Sequence, residues 1–184
     1  DLKKKIENRS ANIGVIGVGY VGLPLAMEFV RAGFKVTGID VDDKKVEMVN
    51  TGNNYIQDVS DDALASAVSD GNLNATTDFT VTKKLDSVSI CVPTPLKEHK
   101  NPDISYIVSA MKEVEKYIHP GMIIILESTT YPGSTRELIL PFLETNGFTV
   151  GKDFFLCFSP ERIDPGNTEY GTQNTPKVIG GITE

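Results

Sequence analysis

The sequence predicts an α/β fold, in which helices cover both faces of a doubly wound, mostly parallel sheet. Short and largely unbroken apolar runs alternate along the chain with longer segments whose apolar residues recur at helical spacing. The runs lack the strict polar–apolar alternation of a half-exposed strand, so we expect strands that are covered on both faces. Glycine follows each of the first three helical segments, where a left-handed residue commonly ends a helix.

Six strands and five helices are expected. The strands are residues 12–17, 35–40, 73–77, 87–92, 122–127 and 154–158, with residues 177–179 as a candidate seventh. The helices are residues 20–32, 43–50, 61–69, 103–117 and 134–145. Residues 164–184 are rich in Pro, Gly, Asn and Thr and are expected to be mostly irregular. This order favours parallel strands joined by crossover helices.

Composition and charge favour a single domain over residues 1–184. Hydrophobic residues make up 40% of the 184 residues and charged residues 23%, which suits one compact core. The 25 acidic side chains outnumber the 18 basic ones, and a net charge of −7 argues against broad affinity for nucleic acid or an anionic membrane. Apolar runs of about five residues are too short to span a bilayer, and no signal-peptide pattern opens the chain. We expect a soluble cytoplasmic protein without a nucleic-acid or membrane partner, in which the lysines at positions 3–5 belong to a solvated terminus.

The cysteines and histidines do not predict a metal site. Cys91 and Cys157 each lie inside an apolar run, so we expect two separate buried thiols. His99 and His119 lie alone in polar or proline-flanked segments, and no His/Cys spacing matches a ligand set.

The cofactor signal begins directly after the first predicted strand with a GxGxxG motif. It consists of Gly17, Val18, Gly19, Tyr20, Val21 and Gly22. Gly17 permits the tight turn, Gly19 lets the backbone approach a pyrophosphate, and Gly22 lets the helix pack closely on the strand. The phosphates would lie at the helix N-terminus, where free N–H groups and the helix dipole favour an anion. This context predicts a Rossmann-type fold, and the alternative is a glycine-rich turn without a ligand.

Asp40 ends the second predicted strand, 18 residues beyond Gly22. An acidic side chain there can accept hydrogen bonds from the adenosine ribose, and it would repel the 2′-phosphate of NADP, so the predicted cofactor is NAD. Lys45 can reach the same ribose or the phosphates. The alternatives are an ordinary polar residue at a strand end and a solvated helix lysine.

Proline-containing loops follow the fourth, fifth and sixth predicted strands. The loops are residues 92–95, 128–133 and 159–162. In a doubly wound sheet, ligands bind beyond the carboxyl ends of strands near the switch in strand order. We therefore expect Pro93, Thr94, Thr129 and Thr130 to face cofactor or substrate. Each loop alone could equally be a turn without a ligand. Together with the glycine loop and Asp40, the loops favour a binding site for cofactor or substrate.

Alcohol oxidation needs a proton acceptor, and the sequence narrows the candidates. No tyrosine has a lysine four residues later, which excludes the Tyr-x-x-x-Lys arrangement of short-chain dehydrogenases. Neither histidine follows a predicted strand. Glu161 follows a buried strand beside Pro160, so a carboxylate partly shielded from water is the best acid–base candidate. The alternative is a plain surface pair with Arg162.

Four motifs carry a family resemblance. They are Gly17-Val18-Gly19-Tyr20-Val21-Gly22-Leu23-Pro24, Cys91-Val92-Pro93-Thr94-Pro95, Glu127-Ser128-Thr129-Thr130-Tyr131-Pro132-Gly133, and Ser159-Pro160-Glu161-Arg162 with Pro165-Gly166. Over essentially the whole chain, they resemble the N-terminal domain of the UDP-glucose/GDP-mannose 6-dehydrogenase family. The Ser-Pro-Glu-Arg form is more similar to the branch that acts on UDP-N-acetylglucosamine or UDP-N-acetylmannosamine than to the UDP-glucose branch.

The resemblance implies an NAD-dependent, four-electron oxidation of a sugar C6 alcohol to a carboxylate for polysaccharide precursors, through a thiohemiacetal on a cysteine. It implies that Thr130 orients the catalytic water and that Glu161 does acid–base work. By the same resemblance, Asp40, Lys45, Thr94 and Thr129 contact the cofactor. Glu161, Arg162 and Ile163 are implied to contact the UDP-sugar. A second family glutamate is replaced by Pro165, which leaves that glutamate's role open in this chain.

The resemblance also implies that the catalytic cysteine, lysine and asparagine belong to sequence beyond this domain. We therefore expect a fragment of a longer enzyme that is a homodimer at full length, and that is inactive alone. A stand-alone NAD-binding sensor without catalysis is the alternative from another class. A hydroxyacid or 3-hydroxyacyl dehydrogenase with a related first domain is a third.

Overall fold

The computed structural model describes residues 1–96, 102–144, 147–162, 172 and 174–183, and these residues form one seven-stranded sheet. The strands are β1 (Asn12–Ile16), β2 (Lys35–Ile39), β3 (Leu73–Thr76), β4 (Ser87–Ile90), β5 (Ile123–Leu126), β6 (Phe155–Phe158) and β7 (Gly180–Gly181). They lie in the order β3-β2-β1-β4-β5-β6-β7, and β1 to β6 are parallel. The chain runs outward from β1 to β3 and then crosses back to β4, which is the predicted doubly wound arrangement.

Helices cover both faces of this sheet. They are α1 (Leu2–Glu7), α2 (Gly22–Arg31), α3 (Asp43–Asn50), α4 (Asp61–Ser69), α5 (Ser105–Val114) and α6 (Leu140–Glu144). One core cluster joins strand residues such as Val15 to buried residues of α2, α3 and α4. A second cluster joins Ile16, the next residue along β1, to buried residues of α5 and α6. Successive strand residues therefore enter opposite cores, as expected for strands covered on both faces.

The six predicted strands and five predicted helical regions are confirmed, with ends that differ by at most three residues for most of them. The predicted bounds of α3 and α4 match the structure. A side chain caps the start of each helix. The Asp42 carboxylate accepts a hydrogen bond from the Lys44 N–H, and the Ser60 hydroxyl accepts one from the Ala63 N–H.

The predicted helix at residues 134–145 is interrupted. The chain forms a π-helical turn at Thr135–Ile139 before α6 begins at Leu140. Pro141 explains the interruption, because it has no N–H to donate to the carbonyl of Glu137 and its ring crowds that turn. Residue 145 lies outside the described residues.

One prediction about the chain ends is wrong, and one helix near the start of the chain was not predicted. Residues 177–179 do not form a strand, and β7 instead pairs antiparallel with β6 at Gly180 and Gly181. The lysines at positions 3–5 are exposed, as predicted for a solvated terminus, and they lie in α1, a helix that the sequence analysis did not predict. Asp1 caps this helix, and Lys5 forms an ion pair with Asp86 at 2.6 Å. A 3-10 helix at Phe79–Lys84 was also not predicted.

Candidate cofactor and active site

Two adjoining cavities of about 290 and about 590 Å³ form one cleft along the carboxyl edge of the parallel strands. Five residues line both cavities: Gly17, Asp40, Lys45, Val92 and Pro93. Gly17 directly follows β1, and Val92 and Pro93 follow β4. Because the strand order reverses between β1 and β4, the cleft lies at the topological switch point, where such sheets bind nucleotides.

Glycine is favoured at each of the three motif positions for a different steric reason. Gly17 has φ +89°, and a Cβ there would lie 2.8 Å from the Cys91 carbonyl oxygen. A Cβ on Gly22 would lie 1.8 Å from the Gly17 carbonyl oxygen, so the first turn of α2 packs directly on the loop. A Cβ on Gly19 would meet nothing within 4 Å. The backbone at Gly19 is thus open to the cleft, which fits the close approach of a pyrophosphate.

The N-terminus of α2 also suits an anion. Val21 is the cap residue, and no side chain in the described part of the chain caps this helix. The N–H groups of the first turn of a helix have no intrahelical partner and carry the positive end of its dipole. The loop and the helix together offer phosphate-binding groups at the centre of the cleft.

Asp40 lies one residue beyond β2 and is 7% exposed. Its Oδ2 accepts a hydrogen bond from the Val18 N–H at 2.9 Å, and its Oδ1 accepts one from the Asp42 N–H at 3.0 Å. Lys45 Nζ lies 3.8 Å from Oδ2. Because an ionised carboxylate has about four acceptor positions, Asp40 can hold the glycine loop and still accept from ribose hydroxyls.

Tyr55 is a support of the glycine loop that the sequence analysis missed. Its hydroxyl donates to the Val18 carbonyl at 2.6 Å. Burial, with the nearby Asp40 and Asp42 carboxylates, raises the pKa of Tyr55, so it remains a donor over the whole neutral range. Val18 is therefore held at both its N–H and its carbonyl. No local pattern marks a tyrosine 37 residues away as the partner of this loop.

The far end of the cleft, beyond β5 and β6, contains ionisable side chains. Its lining includes Cys91, Glu127, Ser128, Thr129 and Glu161. The Ser128 hydroxyl donates to the Val92 carbonyl at 2.7 Å, which joins the loop after β5 to the loop after β4. The loops predicted to converge at one edge do converge there.

Two side chains at this end were not predicted. Glu127, which is 4% exposed, directly follows β5 in the same way that Asp40 follows β2. Its Oε2 lies 2.5 Å from Lys177 Nζ, and Lys177 also lies 3.7 Å from Glu161 Oε2. The position of Glu127 at a strand end could have identified it from the sequence. Nothing local in the sequence indicates Lys177.

Most of the predicted site residues line the cleft. Those in its lining are Gly17, Gly19, Tyr20, Val21, Asp40, Lys45, Pro93, Thr94, Thr129 and Glu161. Val18, Gly22, Thr130 and Arg162 are not in the lining of either cavity, and Ile163, Pro165 and Gly166 lie outside the described residues. The structure thus brings together nine of the eleven predicted cofactor residues and one of the two predicted catalytic residues.

Thr130 and Ser159 each have a buried hydroxyl that makes no hydrogen bond to the described residues. Thr130 follows β5, and Ser159 follows β6. A buried hydroxyl normally has a partner, so each of these is a candidate to hold a water or a ligand atom at the carboxyl edge.

Arg162 makes a contact that differs from the surface pair considered above. Its guanidinium donates to the Pro176 carbonyl at 3.3 Å, while its backbone N–H donates to Glu161 Oε1 at 2.6 Å. Arg162 thereby holds the segment that precedes Lys177 next to the end of β6.

The two cysteines are free and buried, as predicted. Burial raises the pKa of both thiols, and the Glu127 carboxylate raises it further. A buried thiol with a raised pKa is a poor nucleophile at neutral pH, so neither cysteine suits covalent catalysis. Among the described residues, no three His, Cys, Asp or Glu side chains gather to hold a metal ion.

The fold and cleft agree with comparisons to known proteins. The model of the UDP-glucose/GDP-mannose dehydrogenase family, NAD binding domain, matches residues 11–184. The chain belongs to this family. It is an NAD-binding domain, as the glycine loop and Asp40 predicted.

Curated relatives support this membership. The domain is 39% identical to the protein CapL of Staphylococcus aureus over 173 residues, which cover 94% of this chain and 40% of CapL. It is 36% identical to the UDP-N-acetyl-D-glucosamine 6-dehydrogenase of Pseudomonas aeruginosa, covering 95% of this chain and 41% of the relative. The chain therefore spans about two fifths of the length of these relatives.

Solved structures give the same picture. The NDP-N-acetyl-D-galactosaminuronic acid dehydrogenase of Methanosarcina mazei Go1 superposes with a TM-score of 0.88 at 33% identity, covering 100% of this chain and 42% of that chain. An (S)-3-hydroxybutyryl-CoA dehydrogenase of Ralstonia eutropha shares 16% identity at a TM-score of 0.53, which shows a common fold only. In the described part of the NAD-binding domain, no helix has the length and apolarity needed to cross a membrane.

Proposed function

We propose that this NAD-binding domain serves the oxidation of the C6 alcohol of a UDP-N-acetylhexosamine to the uronate, in two NAD-dependent steps, for polysaccharide precursor synthesis. The observation that carries the proposal is a cleft that has a phosphate-binding loop at its centre and ionisable side chains at one end. A cofactor bound along this cleft would have its reactive end near Glu161 and Thr129. The described residues fit this group, since Gly19 leaves open backbone where the pyrophosphate would pass.

The residues that would hold the cofactor divide by position. The glycine loop and the start of α2 would bind the pyrophosphate, and Asp40 with Lys45 would bind the adenosine ribose. Pro93, Thr94 and Thr129 would bound the path toward the reactive end. When bound, NAD supplies the chemistry of accepting hydride from the substrate carbon.

The side chains of this domain would accept a proton and orient a water molecule. The Glu161 carboxylate would accept the proton of an attacking water, because it lines the cleft at the reactive end. The Thr130 hydroxyl, which has no partner among the described residues, would orient that water. Neither Cys91 nor Cys157 is assigned as the nucleophile, because burial raises the pKa of each thiol.

The substrate class rests on similarity. Relatives that the chain matches are named UDP-N-acetyl-D-glucosamine 6-dehydrogenase and UDP-N-acetyl-D-mannosamine dehydrogenase. We assign Glu161, Arg162 and Ile163 as contacts to the UDP-sugar. We further propose that the domain works in the cytoplasm, in keeping with its two free thiols, and within a homodimeric enzyme that includes the rest of the relatives' length.

The test has a binding step and a catalytic step. Calorimetry on the 184-residue chain should give NAD binding and much weaker NADP binding, because Asp40 repels a 2′-phosphate. In an enzyme that carries this domain, Glu161→Gln should lower kcat for a UDP-N-acetylhexosamine by about a hundredfold or more, the usual contribution of acid–base catalysis.

Glu7→Gln is the matched control, because it makes the same carboxylate-to-amide change on α1, away from the cleft. NAD binding without oxidation of any UDP-sugar would favour the sensor alternative. An unchanged kcat in Glu161→Gln would remove the acid–base role, and a preference for NADP would contradict the cofactor assignment.

A further inference from the structure

Glu127, Lys177 and Glu161 form a charged cluster at the reactive end of the cleft, here called the carboxylate array. Lys177 Nζ lies 2.5 Å from Glu127 Oε2 and 3.7 Å from Glu161 Oε2. The side chains are only 5% exposed for Glu127, 13% for Glu161 and 26% for Lys177. One ammonium thus lies between two carboxylates that are largely shielded from water, so with all three charged the array carries one net negative charge.

The fold brings these residues together through the one antiparallel strand of the described sheet. Glu127 follows β5 and Glu161 lies three residues after β6, so both lie at the carboxyl edge. Because β7 runs antiparallel to β6, with Gly180 opposite Phe158, the residues that precede β7 also reach this edge. The bond from Arg162 to the Pro176 carbonyl fixes the segment next to Lys177.

The charges in the array oppose one another. Burial raises the pKa of Glu127, the Lys177 ammonium lowers it, and the Glu161 carboxylate raises it. Among the described residues, the thiols of Cys91 and Cys157 also face Glu127; burial raises their pKa values, so they are neutral near pH 7. Arg162 is exposed, and its guanidinium donates to the Pro176 carbonyl. Among the described residues, Lys177 is the cation that lies within 4 Å of both carboxylates.

We propose that Lys177 is a positioning residue that holds the Glu127 and Glu161 carboxylates in one pocket, so that Glu161 can act as a base while Glu127 is the counter-ion of Lys177. This inference rests on the proposed function of Glu161. When Glu161 accepts a proton from water, the array passes from one negative charge to neutrality. Lys177 remains paired with Glu127, so neither the protonated nor the ionised state leaves a buried charge without a partner.

The first arm of the test uses the 184-residue chain and needs no catalysis. Selective ¹³C labelling of glutamate side chains allows the Glu127 carboxyl carbon to be followed by NMR as a function of pH, with Glu127→Gln to assign the signal. In Lys177→Met the midpoint of this titration should move to higher pH, because the ammonium that favours the carboxylate is gone. Lys177→Arg should return the midpoint toward that of the parent chain.

Lys116→Met is the matched control, since Lys116 lies two residues beyond α5 and pairs with Glu113 at 2.7 Å rather than with the array. It should leave the Glu127 titration unchanged. If Lys177→Met does not fold, Lys177→Met with Glu127→Gln removes both partners and lets the Glu161 carboxyl be followed instead. If the titration midpoint of Glu127 is the same in Lys177→Met as in the parent chain, the proposed role of Lys177 is wrong.

The second arm measures kcat against pH in an enzyme that carries this domain. Removal of the Lys177 ammonium should shift the acid limb of the profile to higher pH, because that limb reports the protonation of the coupled carboxylates. A merely structural role would lower kcat at every pH without moving the limb, and that result would overturn the positioning role. An NMR shift in a protein that oxidises no UDP-sugar would overturn the proposed function and, with it, the base role that Lys177 is proposed to support.

Discussion

The two ends of the cleft each contain a buried carboxylate directly after a parallel strand, but the two carboxylates are held in different ways. Asp40 follows β2 and is 7% exposed, and Glu127 follows β5 and is 4% exposed. Backbone N–H groups of Val18 and Asp42 bind Asp40. Glu127 is instead bound by the ammonium of Lys177, which lies 50 residues along the chain.

This difference separates recognition from chemistry. Backbone donors fixed by a turn hold a carboxylate in one place, which suits the binding of a ribose. A carboxylate held by one long side chain, next to a second carboxylate, has a proton affinity that depends on its neighbours. We therefore expect the glycine-loop end to hold a ligand in a fixed place, and the Glu127 end to take part in the proton transfer proposed for Glu161.

The largest effect is expected from breaking the glycine-loop end with Gly22→Ala. Its Cβ would lie 1.8 Å from the Gly17 carbonyl oxygen, so α2 must move away from the loop. We expect a loss of about 3 kcal/mol in the free energy of unfolding, at the upper end of the usual cost of overpacking. NAD binding should be lost with it. Chemical denaturation followed by circular dichroism, with calorimetry for NAD, measures both.

Gly19→Ala is the matched control for this prediction. A Cβ at Gly19 meets nothing within 4 Å, so the free energy of unfolding should change by less than about 1 kcal/mol. NAD affinity should still fall, because the added methyl group occupies the space kept for the pyrophosphate. Full NAD affinity in Gly19→Ala would contradict the assignment of this loop to the cofactor.

The second prediction concerns the pH dependence of stability at the Glu127 end. Burial raises the pKa of Glu127 above its ordinary value of 4.5, so the folded state binds a proton more tightly than the unfolded state. The contribution of Glu127 to stability is therefore lost as the pH rises from 4.5 through its folded-state pKa. Glu127→Gln has no such proton to lose. Relative to the parent, its free energy of unfolding should improve over this window by at most about 1.4 kcal/mol per pH unit.

Thermal and urea unfolding at several pH values measure this difference. Glu7→Gln on the exposed α1 makes the same chemical change without the burial. Its stability should run parallel to that of the parent over the window. If the free energy of unfolding of Glu127→Gln also runs parallel to that of the parent, Glu127 does not bind a proton more tightly in the folded state than in the unfolded state.

The contrast also explains which parts of the molecule the sequence could predict. The strands, α3, α4 and the glycine loop depend on local signals, namely apolar runs, caps and glycine spacing, and these agree with the structure. The interruption before α6 had a local signal as well, in Pro141, which the helical spacing of its neighbours concealed.

The missed site residues depend on contacts between distant parts of the chain. Tyr55 reaches Val18 across 37 residues, and Lys177 reaches Glu127 across 50. Lys177 arrives only because β7 is antiparallel, and two glycines carry no strand propensity from which β7 could be predicted. Long-range pairing of this kind follows from the sheet topology and has no local pattern.

The smallest effect is expected at the support of the glycine loop, and it tests whether that end is held by its backbone alone. Tyr55→Phe removes the hydroxyl that donates to the Val18 carbonyl at 2.6 Å. Because Tyr55 is only partly buried, water can replace part of this bond, and we expect a loss of about 1 kcal/mol in the free energy of unfolding.

Tyr106→Phe, at an exposed tyrosine of α5, is the control and should change stability by less. NAD affinity in Tyr55→Phe should fall only slightly, because Asp40 still holds the Val18 N–H. A loss of NAD binding as large as that of Gly22→Ala would mean that a distant side chain, and not the local backbone, positions the loop, and the two ends of the cleft would then be alike.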